Sequence, residues 1–126
     1  HWLDMEKSVP HLPKIFNVNW FRTDDNGEFI WPGFGENLRV VEWILKRCEG
    51  KADAVETAIG YVPHAEDINL EGLEDFDLAT LKSILEVDKE LWSSEAEGIA
   101  EFYQKFGDRL PEELKNQLEG LKARLK

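Results

Sequence analysis

A single cysteine, Cys48, is present, so no disulfide can form within the chain. That usage fits a reducing compartment and makes the cytoplasm the expected location. Cys48 falls on the apolar stripe of a helical pattern, which predicts a small core residue. Long apolar runs are lacking as well. No stretch approaches the ~18 residues of a membrane span, and no signal-peptide pattern opens the chain. Basic charge is scarce: 15 Lys and Arg stand against 26 Asp and Glu, a net charge of −11. Without a basic patch, nucleic acid and anionic membranes are not expected partners. One nucleotide held by its base is still compatible with that charge, because such a contact need not be ionic.

The motifs of self-contained catalysis are missing too. There is no G-x-x-x-x-G-K-[ST] to cradle phosphates, no H-E-x-x-H and no C-x-x-C. "GFGENL" starts like G-x-G-x-x-G, but Leu38 stands where the third glycine belongs. His1, His11 and His64 are scattered. The carboxylates lie mostly on predicted helix faces and loops, as on a solvated acidic surface. No complete catalytic constellation emerges. A chain that opens on His1 rather than Met reads as a piece of something longer.

What is present divides into a β-rich first third and a helical remainder, within a length suited to one domain. "KIFNVNWF" alternates: Phe16, Val18 and Trp20 share one face, with Ile15, Asn17, Asn19 and Phe21 on the other. Asn26-Gly27 signals a hairpin turn, "EFIW" is the return strand, and Pro32-Gly33 stops it. "ENLRVVEWILKRCEG" predicts a helix with Leu38, Val41, Ile44, Leu45 and Cys48 inward, capped by Asn37 and ended by Gly50. "ETAIGYVP" predicts a loop and a short strand. Three helices follow. Asp77 caps one with Leu78, Leu81, Ile84 and Leu85 inward. Asp88 caps the next, with Leu91, Trp92, Ile99, Phe102, Tyr103 and Phe106 inward. Pro111 opens the last, whose stripe is Leu114, Leu118, Leu121 and Leu125. The expected fold class is therefore α+β: one β-hairpin and about four helices.

The stretch "FIWPGFGEN" crowds Phe29, Trp31 and Phe34 around a Pro-Gly turn. The hairpin brings Phe21 close to Phe29, and Phe34 can swing toward them. Gly33 and Gly35 leave room beside the backbone. Two rings roughly 7 Å apart, twice a van der Waals stacking distance, would form a slot for a planar base. Stacking there contributes about 1–3 kcal/mol per base. Asn37, whose amide both donates and accepts, can read a base edge. From composition alone the rings are either this slot or plain core.

Taken together, "VNWFR", a short Asn-Gly turn, "FIWPGFGEN" and "RVVEW" resemble the C-terminal part of GTP-dependent phosphoenolpyruvate carboxykinase. "HWLDM", "LPKIF" and "IGYVP" match the same family. The resemblance implies a C-terminal piece, residues 1–126, of a larger α/β catalytic domain. The guanine pocket would occupy about 12–37 and the helical remainder about 38–126. It further implies that Phe21 and Phe34 sandwich guanine, that Phe29 lines the slot, and that Asn37 meets the guanine edge. Backbone groups of Phe34, Gly35, Glu36 and Asn37 would complete the contact, and Trp20 and Trp31 would support the pocket from behind. Implied partners are GTP or GDP and the rest of the carboxykinase polypeptide, with Mn²⁺ (or Mg²⁺) bound by ligands outside this chain. The parent enzyme is expected to be a monomer, and the piece inert alone. A different class is also open: an acidic interaction module that presents the aromatic hairpin to a protein partner. The length of the source protein distinguishes the two.

Overall fold

The computed structural model describes all 126 residues, His1–Lys126. Five α-helices and one two-stranded hairpin make an α+β fold: α1 (Trp2–Ser8), α2 (Asn37–Cys48), β1 (Val55–Thr57), β2 (Gly60–Val62), α3 (Leu78–Leu85), α4 (Lys89–Gln104) and α5 (Glu112–Leu125). Helix α1, one more than the sequence pattern predicts, lies at the start of the chain. The chain forms two compact units.

One unit combines residues 13–56 and 61–86. Its core is Trp31, Trp43, Ala65, Ile68, Phe76 and Leu81. Helix α2 presents Trp43 to this core, flanked by the half-buried Val40 and Ile44. The expected stripe is thereby corrected. Leu38, Leu45 and Cys48 are exposed. Apolar residues occur on both sides of α2, and the side that carries the indole turns inward. Cys48 then lies about 140° around the helix from Trp43, at about 100° per residue. The Trp43 ring meets Phe16 edge-on at 6.1 Å, and its Nε1–H finds no acceptor. Helix α3 is capped as expected, since Asp77 Oδ1 accepts from the Thr80 N–H at 2.8 Å. Leu81, Ile84 and Leu85 face the core, whereas Leu78 is exposed.

The expected hairpin of residues 14–21 with 28–31 is only partly formed, and the paired strands lie elsewhere. Phe16, Val18 and Trp20 are half-buried while Ile15, Asn17, Asn19 and Phe21 are exposed, as the alternation requires. No strand is formed over these residues, because side-chain alternation reports which face is buried and not whether a ladder partner is present. Past them, pairing is confined to one bridge, Thr23↔Phe29. The turn between them joins Asp24 and Glu28 (Asp24 N–H to Glu28 O, 2.9 Å). Only Gly27 takes positive φ, at 82°, so the turn is a type I turn with a glycine bulge and not a type I′ pair. The regular hairpin is β1–β2, joined by a tight two-residue loop and therefore antiparallel.

The other unit combines residues 1–12, 57–60 and 87–126. Asp88 caps α4 by accepting from the Glu90 and Leu91 N–H groups at 2.8 and 3.0 Å. Helices α4 and α5 pack through Ala96, Leu118 and Leu125, with Trp92, Ile99, Tyr103 and Leu121 around them. The α5 stripe is as expected. On α4 the expected stripe is too wide: Leu91 and Phe102 are exposed, and the helix ends at Gln104, so that Phe106 lies beyond it and is exposed as well. Alanine at position 96 allows close approach of α5, and that contact sets which side of α4 is inward. Pro111 stands at the N-cap of α5.

Candidate functional site

All eight residues singled out in the aromatic stretch belong to the 13–56/61–86 unit. Their placement follows from three local features. The first is a bend at the end of the extended segment, where the Phe21 N–H donates to Asn19 Oδ1 at 2.9 Å. Arg22 then anchors that point by donating from Nη1 to the Ile84 carbonyl at the end of α3, 3.0 Å away.

The second feature is the Asp24–Glu28 turn. Asp24 Oδ1 accepts from the N–H groups of Asn26 and Glu28 at 2.8 and 2.9 Å. These bonds, chiefly the one from Glu28, hold the Asp24 carboxyl below its ordinary pKa. The turn returns the chain so that Phe21 and Phe29 meet, with centroids 5.7 Å apart at 62°. The two rings form an edge-to-face pair.

Gly33 is the third feature. Its φ of 124° and ψ of −175° lie in a region essentially reserved for glycine. It reverses the chain into a short 3₁₀ turn, Phe34–Glu36, which leads directly into α2. The N–H groups of Glu36 and Asn37 are used in that turn, bonding the carbonyls of Gly33 and Phe34. Phe34 is left 91% exposed and in ring contact with neither Phe21 (70% exposed) nor Phe29 (64% exposed).

The indole in the same stretch is buried. Trp31 is 8% exposed and touches Trp20 at 5.9 Å and Phe76 at 5.4 Å. Asn37 is the first residue of α2 and not its cap. The cap position is Glu36, and no side chain bonds the helix end there. The Asn37 Oδ1 instead accepts the Trp31 Nε1–H at 2.9 Å. The cap expectation fails because that indole donor competes for the same oxygen.

Sequence reading gave no role to Arg39. Its Nε donates to Glu36 Oε2 at 2.6 Å, and its Nη1 and Nη2 donate to the carbonyls of Asn69 and Glu71 at 2.7 and 3.0 Å. One guanidinium thus joins the glycine turn, the start of α2 and the 69–71 loop. The arginine in "ENLRVVEW" could have suggested a fork of this kind, but its carbonyl partners lie some 30 residues away and carry no sequence signal.

The unit thus presents three exposed phenylalanines in a stretch that also holds a buried indole and leads into an arginine fork. It can offer apolar ring faces and one amide to a flat ligand. No three or more His, Cys, Asp or Glu side chains converge anywhere in the chain. The resemblance places the ligands of the divalent metal outside residues 1–126.

Comparison with known proteins bears on what such a surface serves. Residues 1–124 match the family described as the phosphoenolpyruvate carboxykinase C-terminal P-loop domain. A "Phosphoenolpyruvate carboxykinase [GTP]" from Renibacterium salmoninarum is 54% identical over 99% of this chain and 21% of its own length. The protein of the same name from Paenarthrobacter aurescens is 51% identical with the same coverage. A chicken "Phosphoenolpyruvate carboxykinase, cytosolic [GTP]" is 46% identical over all of this chain and 20% of its own length. The chain spans about a fifth of the length of the curated relatives it matches. Between an acidic interaction module and a carboxykinase segment, these likenesses decide for the second: the chain belongs to the GTP-dependent phosphoenolpyruvate carboxykinase family.

Proposed function

We propose that residues 1–126 are the C-terminal, guanine-binding segment of an enzyme that converts oxaloacetate and GTP to phosphoenolpyruvate, GDP and CO₂, a step of gluconeogenesis. In this reading Phe21 and Phe34 close on the two faces of guanine, Phe29 lines the slot, and Asn37 meets the base edge. Gly35 and Glu36 contribute backbone groups, and Trp20 and Trp31 form the wall behind. The segment carries base recognition. Phosphate binding, the divalent metal and the acid–base groups belong to other parts of the polypeptide. Cytoplasmic location is part of the proposal, supported by the relative named cytosolic. No helix is long and apolar enough to cross a membrane.

The observation that carries this reading is the contrast in exposure within one short stretch. Trp31 is buried, yet Phe21, Phe29 and Phe34 are all more than three-fifths exposed. Side chains this exposed are available to a ligand or to the rest of the polypeptide, and this segment is about a fifth of its relatives' length. Grouped exposed rings mark a binding surface. Family membership supplies the ligand class.

The test is Phe34→Ala in the whole enzyme. An exposed side chain contributes little to stability, within about 0.5 kcal/mol. Loss of one stacking face, at about 1–3 kcal/mol per base, should raise the KM for GTP roughly 5- to 150-fold and blunt the preference for GTP over ATP. A KM and a preference both unchanged would show that Phe34 does not face the base.

A further inference from the structure

We propose that Trp31 sets the base preference of this site by fixing which end of the Asn37 amide is offered to the ligand. The inference rests on the base-binding reading above and names the residue that makes it selective. An indole N–H can only donate, so the Asn37 atom 2.9 Å from Trp31 Nε1 must be the carbonyl oxygen Oδ1. Turning the amide over would set its NH₂ against another donor. The NH₂ is therefore the end left free, and it presents donors only.

Two further observations make this orientation fixed. Trp31 is buried, with Trp20 on one side and Phe76 on another, so its ring cannot turn away. Asn37 has no competing duty at the helix start, where no side-chain cap bond forms. A donor-only edge pairs with a ring carbonyl, as at position 6 of guanine or hypoxanthine. Set against the exocyclic amino group of adenine, it meets a second donor. A freely turning asparagine could serve either base by showing its oxygen to the amino group. The discrimination thus comes from the indole, acting through Asn37, and Trp31 is a positioning residue.

The experiment measures kcat/KM for GTP, ITP and ATP in the whole carboxykinase. Wild type should accept GTP and ITP and discriminate against ATP. Trp31 is then replaced by 3-benzothienylalanine, in which sulfur takes the place of N–H at nearly the same volume, and separately by Phe. With the donor gone, the GTP:ATP ratio should fall roughly tenfold or more, because an unpaired polar edge no longer penalises ATP. The loss for GTP should fall on KM more than on kcat, as removal of a base contact rather than of phosphate chemistry requires. In an Asn37→Ala background the same replacement should leave the ratio where Asn37→Ala alone put it. A benzothienyl variant that keeps the wild-type ratio overturns the role of Trp31. So does a Phe variant that loses thermal stability with its ratio intact, which would make Trp31 a packing residue only. If wild type itself does not discriminate between GTP and ATP, the base-binding reading fails first, and the two failures are told apart.

Discussion

Replacing Gly33 by alanine isolates the backbone device that presents Phe34. At φ 124° and ψ −175°, an L-residue is strained by about 1–3 kcal/mol. A Cβ built there would meet no atom within 4 Å, so the whole effect is torsional. Gly35, two residues on, provides an internal contrast. It also has open space around an added Cβ, but its φ is not positive. Alanine at 35 should stabilise by about 0.4–1 kcal/mol through the unfolded chain. The two substitutions, chemically identical, should thus have opposite signs. Hydrogen exchange in the whole protein reads this locally. The amides from Trp31 to Arg39 should exchange roughly 5- to 150-fold faster in Gly33→Ala, the range that 1–3 kcal/mol gives. In Gly35→Ala they should exchange no faster than in wild type. Equal effects at the two positions, or a neutral Gly33→Ala, would refute the claim that this turn depends on a glycine-only conformation.

Arg39→Ala should destabilise the unit by about 1.5–3 kcal/mol, the range for hydrogen bonds to a charged group, and Arg39→Lys should recover little, because one ammonium cannot span Glu36, Asn69 and Glu71 together. Denaturant unfolding checks this, and full rescue by lysine would contradict the fork geometry. Acid should loosen the start of α3. The Thr80 backbone N–H, and next its hydroxyl, hold the Asp77 carboxyl below its ordinary pKa. A depressed carboxylate adds stability that is complete above the ordinary aspartate value of about 3.9 and fades as pH falls through the folded value. The Thr80 amide resonance should therefore titrate below about pH 4 and lose that step in Asp77→Asn, which keeps the cap without the titration. An identical step in both proteins would assign it to another carboxylate.

Much of the helical part was legible because its signals are local. Asp77 and Asp88 cap where their spacing to the following apolar residues says they should, and the leucines of α5 repeat on one face. Where apolar residues occur on two sides of a helix, periodicity is ambiguous. On α2 the bulk of Trp43 prevails over Leu38, Leu45 and Cys48; on α4 the small Ala96 prevails over Leu91 and Phe102. Alternation from Phe16 to Trp20 correctly gave the buried side and wrongly gave a strand, since a ladder needs a partner that local sequence does not name. At the candidate site, the glycine turn and the aromatic cluster were visible in the order of residues. The exposure of Phe21, Phe29 and Phe34 was not, because phenylalanine is equally at home in a core. Nor was the Trp31–Asn37 bond, for which asparagine gives up the helix-capping role its position suggests.

Fluorine NMR tests the stacking of a base between these rings most directly. With 4-fluorophenylalanine at position 21 or 34 of the whole enzyme, saturating GDP should shift both resonances by the ring current of the bound purine, and the same concentration of ADP should shift them far less. Resonances at 21 and 34 that stay in place when GDP is shown to be bound would contradict it.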